Sequence, residues 1–513
     1  MSSGTAADTA SVECERKLLV PGPIDPAQVE AAIHASGFVC RGSARTRQQD
    51  RYLDSPGGAL VAAGVSLRLR TTPDAAVLTW KCVGTTKGDL HERPEIEVAW
   101  AQGGPPRAAD ELPTVLRDRV EPYLYADGLV LLAELETERH TWSLACRETG
   151  AMLELAADSV TSAHGGFHEL EIEGEAAAAG PARALAERLL RACGGEASGI
   201  DKLRRVLALA GRVQAPLAEA ERMPAGATTR DALAALLQGR WLAVQRREVL
   251  VRTGADPEAV HKMRVACRKL RSALRLAGRL LRKPGRRVAR CIGRTAEVLG
   301  QVRDLDVHRA ELAEVRGEVP AQLWPSFDAV VTTLQVHRAE ARERLLEHLR
   351  QPERLRAWGK GQRRLLAALQ DVAATPDAAA FVRRRIRKLA VKGFALGDAI
   401  RPATPPPVLH RLRIVLKRLR YALEFAQELL PDEVTDLAKT LAKAQSLLGT
   451  CNDAATARRD LPDRLPLHDD EDLALAAGLA LLQRRSRMAR AAFTALWSGF
   501  ATDPNRALLG AGS

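Results

Sequence analysis

Hydrophobic and polar positions alternate with a period of two through much of residues 11–175, with breaks at Gly, Pro and Asp. Successive side chains of a β-strand point to opposite faces, so this alternation predicts short strands joined by turns. A helical period appears instead at residues 26–37, 107–125 and 181–194. The pattern therefore predicts an N-terminal α+β domain with an antiparallel sheet.

From about residue 230 to residue 500 almost every segment has a helical period, and this half repeats itself. VHKMRVACRKLRSAL at 260–274 aligns with LHRLRIVLKRLRYAL at 409–423, an offset of 149 residues. The stretches VLGQVRD and LLGTCND align at the same offset. Several motifs at one offset predict a duplicated helical unit, which we expect to form two packed bundles. A Pro- and Ala-rich stretch at 211–228 is the predicted linker.

One face of several predicted strands is almost wholly charged. In SVECERKLLV, alternation places Glu13, Glu15 and Lys17 on the same face. Later strands repeat this arrangement with Arg68 and Arg70, with Arg93, Glu95 and Glu97, and with Glu169, Glu171 and Glu173. A solvated face explains any single strand, but such faces usually include uncharged polar residues. The set favours a sheet that is curled with its charged face inward and covered outside by helices.

A barrel lined in this way has a chemical use. Arg and Lys side chains bind the oxygens of a highly charged anion. Carboxylates would repel that anion unless they hold a hard divalent cation such as Mg²⁺ or Mn²⁺. Bases and metal-holding acids in one cavity suit a polyphosphate chain, since the metal polarises a phosphoryl oxygen and orients water.

The net charge of +13 is unevenly divided along the chain. Residues 1–215 carry 23 Lys and Arg against 30 Asp and Glu, and the remainder has 20 positive charges in excess. A basic half of this size indicates a polyanionic partner, either nucleic acid, a membrane surface or polyphosphate. Eight scattered cysteines, the lack of a signal-like N-terminus and the lack of an apolar run of roughly 18 residues predict a cytoplasmic protein without a membrane span.

The repeated helices carry a basic stripe opposite their apolar face. In the first repeat the stripe is His261, Arg264, Arg268 and Arg271, and in the second it is His410, Arg413, Lys417 and Arg420. A solvated face is the alternative for any one basic helix. The stripe has few acids to neutralise it and occurs twice at a fixed offset, so we favour a surface that binds an anion.

The charged strands resemble the CYTH superfamily, the triphosphate tunnel metalloenzymes. Glu13-Cys14-Glu15-Arg16-Lys17 is similar to the ExExK signature of that family, and later motifs come in the family's order. They are Tyr52-Leu53-Asp54, Arg68-x-Arg70, Lys81, Arg93-x-Glu95-x-Glu97, Arg139, Glu154, Asp158, Glu169-x-Glu171 and Lys202. The resemblance covers residues 11–210 and implies an eight-stranded antiparallel tunnel, with flanking helices, that binds a triphosphate and one or two divalent cations.

The resemblance also implies roles for the matched side chains. Those expected to bind phosphate are Lys17, Arg68, Arg70, Lys81, Arg93, Arg139 and Lys202. The expected metal ligands are Glu13, Glu15, Glu95, Asp158, Glu169 and Glu171, with Glu13, Glu15 and Lys17 as the catalytic set. The alternative to metal binding is pairing with neighbouring basic residues for Glu97, Glu154 and Glu173. We expect Tyr52 and Asp54 to be structural. Pro94 interrupts the hydrogen bonding of its strand, which leaves the register around Arg93 open.

The helical half resembles the CHAD domain, a helical domain that is often fused to CYTH. HxxRxxxRKxR at 261–271, HxxRxxxKRxR at 410–420 and two LGxxxD stretches carry the resemblance. It implies two four-helix bundles at 229–505, in repeats of about 229–375 and 376–505, that bind polyphosphate. The residues expected to do so are His261, Arg264, Arg268, Lys269, Arg271, Arg303, His410, Arg413, Lys417, Arg418 and Arg420. Asp304 and Asp453 are expected to anchor neighbouring Arg side chains.

Together the resemblances imply a metal-dependent inorganic triphosphatase, similar to bacterial CYTH–CHAD enzymes, that uses Mg²⁺ or Mn²⁺ and carries a polyphosphate-binding module. One alternative is a non-catalytic protein that binds or localises on polyphosphate, with polyphosphate granules as its location. Another is a hydrolase of an organic triphosphate, either thiamine triphosphate or a nucleotide. Nucleic acid is a weaker partner candidate, because the basic segments lack the interleaved aromatic residues that stack bases. The oligomeric state is left open.

Overall fold

A computed structural model describes residues 11–82, 85–87, 90–174, 178–212, 222–254, 256–374, 377–465 and 469–511. The chain forms two compact units, which divide in the sequence between residues 217 and 218. Among the described residues, no helix is both long and apolar enough to cross a membrane.

The first unit contains a ring of antiparallel strands. Its strands are β1 (Ser11–Val20), β2 (Phe38–Asp54), β3 (Val65–Thr71), β4 (Ala76–Cys82), β5 (Thr85–Lys87), β6 (Leu90–Ala99), β7 (Val130–Cys146), β8 (Met152–Ser162), β9 (Gly165–Gly174) and β10 (Glu196–Ala197). Hydrogen bonding follows the order β1-β9-β8-β7-β2-β3-β4-β6, and β6 pairs with β1 to close the ring. The predicted eight-stranded antiparallel tunnel is therefore confirmed, with β5 and β10 as short additions to it.

Ring closure depends on β1, because its two ends pair with different strands. Residues 11–16 pair with β6, whereas residues 15–20 pair with β9. Pro94 lies within β6 opposite Val12, and the pairing register continues through it to Arg93 and Glu95. The open register around Arg93 is thereby settled: Arg93 lies opposite Glu13.

The α-helices beside the ring, within the described residues of this unit, are α1 (Pro26–Ala35), α2 (Ala59–Ala63), α3 (Thr114–Leu124), α4 (Ala179–Cys193) and α5 (Lys202–Leu209). The helical pattern at 107–125 yields a short 3-10 helix at Ala109–Glu111 and then α3, because Pro113 disfavours a helical backbone at Leu112, which is extended. Helices α1 and α4 pack with Leu18, Trp142 and Ile172 in an apolar core outside the ring. The alternation therefore separates an apolar outer face from a charged inner one.

The second unit is helical throughout its described residues. Its helices are α6 (Thr229–Thr253), α7 (Ala259–Ala277), α8 (Arg282–Val315), α9 (Trp324–Arg350), α10 (Pro352–Gln370), α11 (Ala378–Asp398), α12 (Pro406–Phe425), α13 (Asp432–Arg464), α14 (Asp469–Phe500) and α15 (Asp503–Leu508). Consecutive helices pack on one another within α6–α9 and within α11–α14. The repeated helices α7 and α12 also contact each other, which brings the two basic stripes to the same region.

Candidate functional site

The inward faces of the ring strands enclose a cavity of about 230 Å³. The predicted site residues that line it are Glu15, Lys17, Arg68, Arg70, Lys81, Arg93, Glu95, Arg139, Glu171 and Lys202. The side chain of Glu13 lies outside the described residues, although its backbone is paired within β1. The period-two pattern thus brings most of the predicted residues into one cavity.

Lys17 lies in the cavity wall between two carboxylates. Its Nζ is 3.0 Å from Oε2 of Glu15 and also contacts Glu171, which faces Lys17 in the β1–β9 register. Burial opposes the charge of Lys17, but Glu171 and Glu15 hold its pKa well above the usual value. Burial also opposes the charge of Glu15, yet the ammonium of Lys17 keeps the pKa of Glu15 below its usual value. Both side chains therefore carry their charges inside the ring.

Three carboxylates, the acidic triad of Asp158, Glu169 and Glu171, converge on one side of the cavity. One oxygen of each lies within 4.8 Å of the others. The fold accounts for this convergence, because Asp158 is the cross-strand partner of Glu169 and Glu171 shares the inner face of β9. Arg139 lies opposite Asp158 on β7 and contacts both Asp158 and Glu171. The resemblance to the CYTH superfamily implied these three residues as metal ligands, and the structure brings them together.

Lys202 extends from the first turn of α5 into the acidic triad. Its Nζ is 2.9 Å from Asp158 Oδ2, 2.6 Å from Glu169 Oε1 and 2.8 Å from Glu171 Oε1. Helix α5 is held by Leu203, which is buried with its neighbours Val206 and Leu207 in an apolar cluster that includes residues of β2, β7 and β8. Lys202 is therefore a fixed counter-charge to the triad.

The acidic triad has the donor set that a hard divalent cation requires. Mg²⁺ and Mn²⁺ prefer carboxylate oxygens. Oε2 of Glu169 is buried without a hydrogen-bond partner among the described residues, which is costly unless a cation binds there. The predicted ligands Glu15 and Glu95 are not members of this convergent group: Glu15 shares the ammonium of Lys17 with Glu171, and Glu95 is paired with Lys81. The residues present therefore fit a metal at the triad.

Asp50 is a buried acid beside the cavity that sequence reasoning missed. It is fully buried and accepts two hydrogen bonds from Arg70, from Nε at 2.7 Å and from Nη2 at 2.8 Å. Arg68 lies 3.6 Å from the same carboxylate. Burial raises the pKa of Asp50, but Arg68 and Arg70 lower it to about 2. The sequence feature that could have identified Asp50 is its position two residues before Tyr52, which places both side chains on the inner face of β2.

Further cations line the opposite part of the cavity, each beside an acid. Lys81 Nζ is 3.1 Å from Glu95 Oε1, and Arg93 Nη1 is 3.5 Å from Asp201 Oδ2. Asp201, which sequence reasoning also missed, caps α5 by accepting a hydrogen bond from the backbone N–H of Arg204. The capping motif before Lys202 was the signal that could have identified it.

The remaining matched residues have other environments. Glu97 is half exposed and accepts a hydrogen bond from Thr79, Glu154 is exposed, and Glu173 lies at the cavity. Tyr52 borders the cavity and packs with Val61 and Leu203. Asp54 accepts hydrogen bonds from three backbone N–H groups, those of Ser55, Leu60 and Val61, and so caps the helix α2. Asp54 is therefore placed to order the chain between β2 and β3.

A second candidate site lies where α7 contacts α12. Arg268 Nε donates a hydrogen bond to the hydroxyl of Tyr421 at 2.9 Å, which joins the first stripe to the helix α12 that carries the second. Lys417 is partly buried beside Arg413 and Arg268, and burial together with these neighbouring positive charges lowers its pKa to about 7. The predicted basic residues therefore form a cluster whose mutual repulsion an anion would relieve.

The LGxxxD stretches explain how the guanidinium groups are positioned. A Cβ atom on Gly300 would lie 2.3 Å from Arg264 Nη1, so the glycine leaves room for this side chain. One helical turn later, Asp304 Oδ1 is 3.6 Å from Arg264 Nη2. In the second repeat, a Cβ on Gly449 would lie at 3.7 Å from Arg413 Nη2, an ordinary contact. The two repeats therefore position corresponding arginines differently.

The two stripe histidines also differ. His410 Nδ1 lies 2.6 Å from Asn452 Oδ1, whereas the corresponding partner position of the first repeat is Arg303. Burial and the charge of Arg303 lower the pKa of His261. Among the predicted polyphosphate-binding residues, four arginines have a buried Nε without a hydrogen-bond partner in the described part of the chain. They are Arg271 in the first repeat and Arg413, Arg418 and Arg420 in the second.

Lys269, which is predicted to bind polyphosphate beside the first stripe, forms an ion pair. Its Nζ lies 3.9 Å from Oε2 of Glu424 on α12, and Arg420 Nη1 lies 3.0 Å from the other oxygen of the same carboxylate. Glu424 thus neutralises part of the stripe at one end.

Two family models match the chain. The model described as CYTH domain matches residues 11–198, and the model described as CHAD domain matches residues 235–462. No curated protein matches the chain. The two matches agree with the resemblances that the motifs indicated.

Several solved structures are similar to parts of the chain. The CHAD domain from the plant Ricinus communis is 29% identical, with 58% of this chain and 98% of that chain covered and a TM-score of 0.43. PptA from Streptomyces chartreusis is 19% identical, with 53% and 99% covered and a TM-score of 0.42. An adenylyl cyclase candidate from Hippeastrum, described as having a dominant triphosphatase activity, is 22% identical, with 39% and 97% covered and a TM-score of 0.31.

Proposed function

The chain is a two-domain protein that carries a CYTH domain followed by a CHAD domain, and we propose that it hydrolyses inorganic triphosphate and binds inorganic polyphosphate. The CYTH domain supports triphosphate hydrolysis in general. The observation that carries the finer proposal is the closed ring whose interior combines an acidic triad with a wall of Arg and Lys side chains. The products would be diphosphate and phosphate.

The lining of the cavity favours an inorganic substrate. Among its described lining residues, Tyr52 is the single aromatic side chain and Leu203 the single aliphatic one. A nucleobase or thiamine ring would gain most from apolar or stacking contacts, which these two residues supply only in part. A triphosphate chain needs only cationic and hydrogen-bonding groups, which the cavity offers on several sides.

The residues of the ring have separate tasks in this proposal. Arg68, Arg70, Lys81, Arg93 and Arg139 would exchange their carboxylate partners for phosphate oxygens and so align the chain for in-line attack. Asp158, Glu169 and Glu171 would hold Mg²⁺ or Mn²⁺, which supplies Lewis-acid polarisation of a phosphoryl oxygen when bound. Glu15, with Glu13, would orient the water whose oxygen attacks phosphorus as the P–O–P bond breaks. Lys17 would hold the phosphoryl group that accepts the water.

A phosphate-release screen tests the substrate. The full chain is assayed with tripolyphosphate, longer polyphosphates, ATP and thiamine triphosphate, each with Mg²⁺ and with Mn²⁺. We expect tripolyphosphate to have the highest kcat/KM and to require the metal. Higher kcat/KM on thiamine triphosphate or ATP would replace the inorganic substrate by an organic one, and no turnover on any substrate would favour a binding protein.

The basic cluster of the helical unit supports polyphosphate as its partner. Its guanidinium and ammonium groups lie together where α7 contacts α12, and such groups supply N–H donors and positive charge for phosphate oxygens. Immobilised long-chain polyphosphate should capture the unaltered protein. It should no longer capture a variant in which His261, Arg264, Arg413 and Lys417 are neutralised together. If duplex DNA competes for the chain and free polyphosphate does not, the partner is nucleic acid instead.

The proposed location follows from the proposed partner. Eight free cysteines are compatible with a reducing compartment, so we propose a cytoplasmic location at polyphosphate granules. Imaging of the tagged chain beside a polyphosphate stain tests this location. A distribution independent of the stain, in cells that contain granules, would contradict it.

A further inference from the structure

The ammonium of Lys202 occupies the position at which a metal would be expected. It lies within 2.6–2.9 Å of one oxygen from each member of the acidic triad. Two of these oxygens, on Asp158 and Glu171, are also near Arg139 or Lys17. A divalent cation bound by the same oxygens would lie within a few ångströms of the ammonium, where like charges repel strongly.

Lys202 cannot leave the triad without an alternative partner. The side chain is 5% exposed, and its helix is fixed by the packing of Leu203, Val206 and Leu207. A buried ammonium that loses its carboxylates would remain as an uncompensated charge, which is costly. The cavity beside it is open to Lys202, so phosphate oxygens bound there could accept its hydrogen bonds.

We propose that Lys202 is an internal cation that competes with the divalent metal for the acidic triad until a triphosphate takes over its ammonium. This inference rests on the proposed function for the identity of the anion, but the competition itself concerns only Lys202 and the three carboxylates. Metal and triphosphate then bind cooperatively. The triphosphate draws the ammonium of Lys202 away from the metal, and the metal neutralises the carboxylates that would otherwise hold Lys202. The chain alone holds the metal weakly, so the charged tunnel does not keep a metal in the absence of substrate.

The alternative is that Lys202 stays in the triad as a structural ion pair and that metal binds elsewhere on the ring. The two possibilities differ in the effect of removing the ammonium. Competition predicts tighter metal binding without Lys202, whereas a structural pair predicts unchanged or weaker binding, because the triad would be less ordered.

Mn²⁺ titration of the full chain, followed by the EPR signal of free Mn²⁺, tests the competition. We expect Lys202→Met to tighten binding of Mn²⁺ alone by about tenfold or more, since one positive charge leaves the site. Lys81→Met is the matched control, because Lys81 lines the same cavity but pairs with Glu95 outside the triad. Its effect should be several times smaller.

A second measurement uses the unaltered chain. A non-hydrolysable imido analogue of triphosphate should tighten Mn²⁺ binding by about tenfold, and this cooperativity should shrink in Lys202→Met. If the Lys202→Met chain folds, unchanged or weaker Mn²⁺ binding would overturn the proposal. If it does not fold, the absence of cooperativity between Mn²⁺ and the analogue in the unaltered chain would overturn it. Tighter Mn²⁺ binding in the variant, together with no turnover of tripolyphosphate by the unaltered chain, would refute the proposed function alone and leave the competition standing.

Discussion

Arg139 and Asp158 face each other across the β7–β8 pair and form a two-point ion pair, with Nε 2.8 Å from Oδ1 and Nη2 2.6 Å from Oδ2. Asp158 has no exposed surface, and it also contacts Lys202. One carboxylate therefore contacts the guanidinium that we propose to bind phosphate and the ammonium of Lys202, and it belongs to the proposed metal site. Its removal should affect both the fold and the chemistry.

We expect Asp158→Asn to reduce metal-dependent phosphate release by at least about a hundredfold, because it removes a metal ligand and leaves Arg139 and Lys202 undercompensated. Phosphate release and the midpoint of urea unfolding measure the two effects. Glu136→Gln is the control. Glu136 lies on β7, the strand of Arg139, and forms an exposed ion pair with Arg47 of β2. It should leave both quantities unchanged, and equal activity in the two variants would contradict the assigned role.

Asp50→Ala should destabilise the ring by about 3–5 kcal/mol, since Arg68 and Arg70 would lose the buried carboxylate that compensates them. Urea unfolding at neutral pH measures this change. Thr72→Ala, in the exposed turn after β3, serves as the control and should cost much less. A loss below about 1 kcal/mol for Asp50→Ala would show that water reaches the two guanidinium groups.

The same carboxylate gives a pH dependence. Its pKa is about 2 in the folded chain and near 4 in an unfolded one, so the unfolded state binds the extra proton in this interval. The stabilisation is fully present above about pH 4 and is lost as the pH falls towards 2, by about 2–3 kcal/mol in total. Asp50→Asn should flatten this part of the stability curve. An unchanged slope between pH 4 and pH 2 would contradict the low pKa.

The inner face of the ring could be predicted from the sequence because strand alternation is a local property. The inward positions of Lys17 and Glu171 each follow from the alternation within their own strand. Their ion pair, however, depends on the β1–β9 register. Ring closure between β1 and β6 joins distant segments, and no local pattern specifies it. Strand β2 extends back to Phe38 along a stretch with both faces largely exposed, where no alternation marks a strand.

Residues without a recognised motif were missed for a related reason. Asp50 has the correct parity but stands in a polar stretch, QQDRYLD, whose charged positions look solvated. Its role depends on Arg68 and Arg70 from the neighbouring strand β3. Glu15 and Glu95 carry the same parity as the triad but lie beside Lys17 and Lys81, and their role as metal ligands stays a prediction.

Binding of polyphosphate should depend on pH through Lys417. Burial and the charges of Arg413, Arg268, Arg264 and Arg420 lower its pKa to about 7, while Asp453 on α13 acts on Arg413. A bound polyanion favours the charged ammonium, so affinity should fall several-fold as the pH rises from 6 to 8.5. Lys417→Arg stays charged over this range and should flatten the profile. Titrations in buffers of different ionisation enthalpy should show proton uptake in the unaltered chain near pH 7.5, and no uptake would refute the assignment.

The glycines of the two LGxxxD stretches provide a matched pair of variants. Gly300→Ala places a methyl group against the guanidinium of Arg264, which must move away from Asp304. The flexible side chain can yield, and alanine favours the helix by up to about 1 kcal/mol, so the variant should be at least as stable as the unaltered chain. Its affinity for polyphosphate should nevertheless fall by about threefold to tenfold, because one charge-assisted contact is misplaced.

Gly449→Ala adds the same methyl group at the corresponding position of the second repeat, where Arg413 lies at ordinary contact distance. Arg413 can keep its place, so this variant should gain helix stability and retain its affinity. Thermal unfolding and polyphosphate titration of both variants measure the contrast. Equal loss of affinity in the two would mean that the methyl group acts through the helices α8 and α13 rather than through Arg264. Equal retention would mean that the position of Arg264 beside Asp304 does not matter for the anion, and the basic surface would then bind by its summed charge alone.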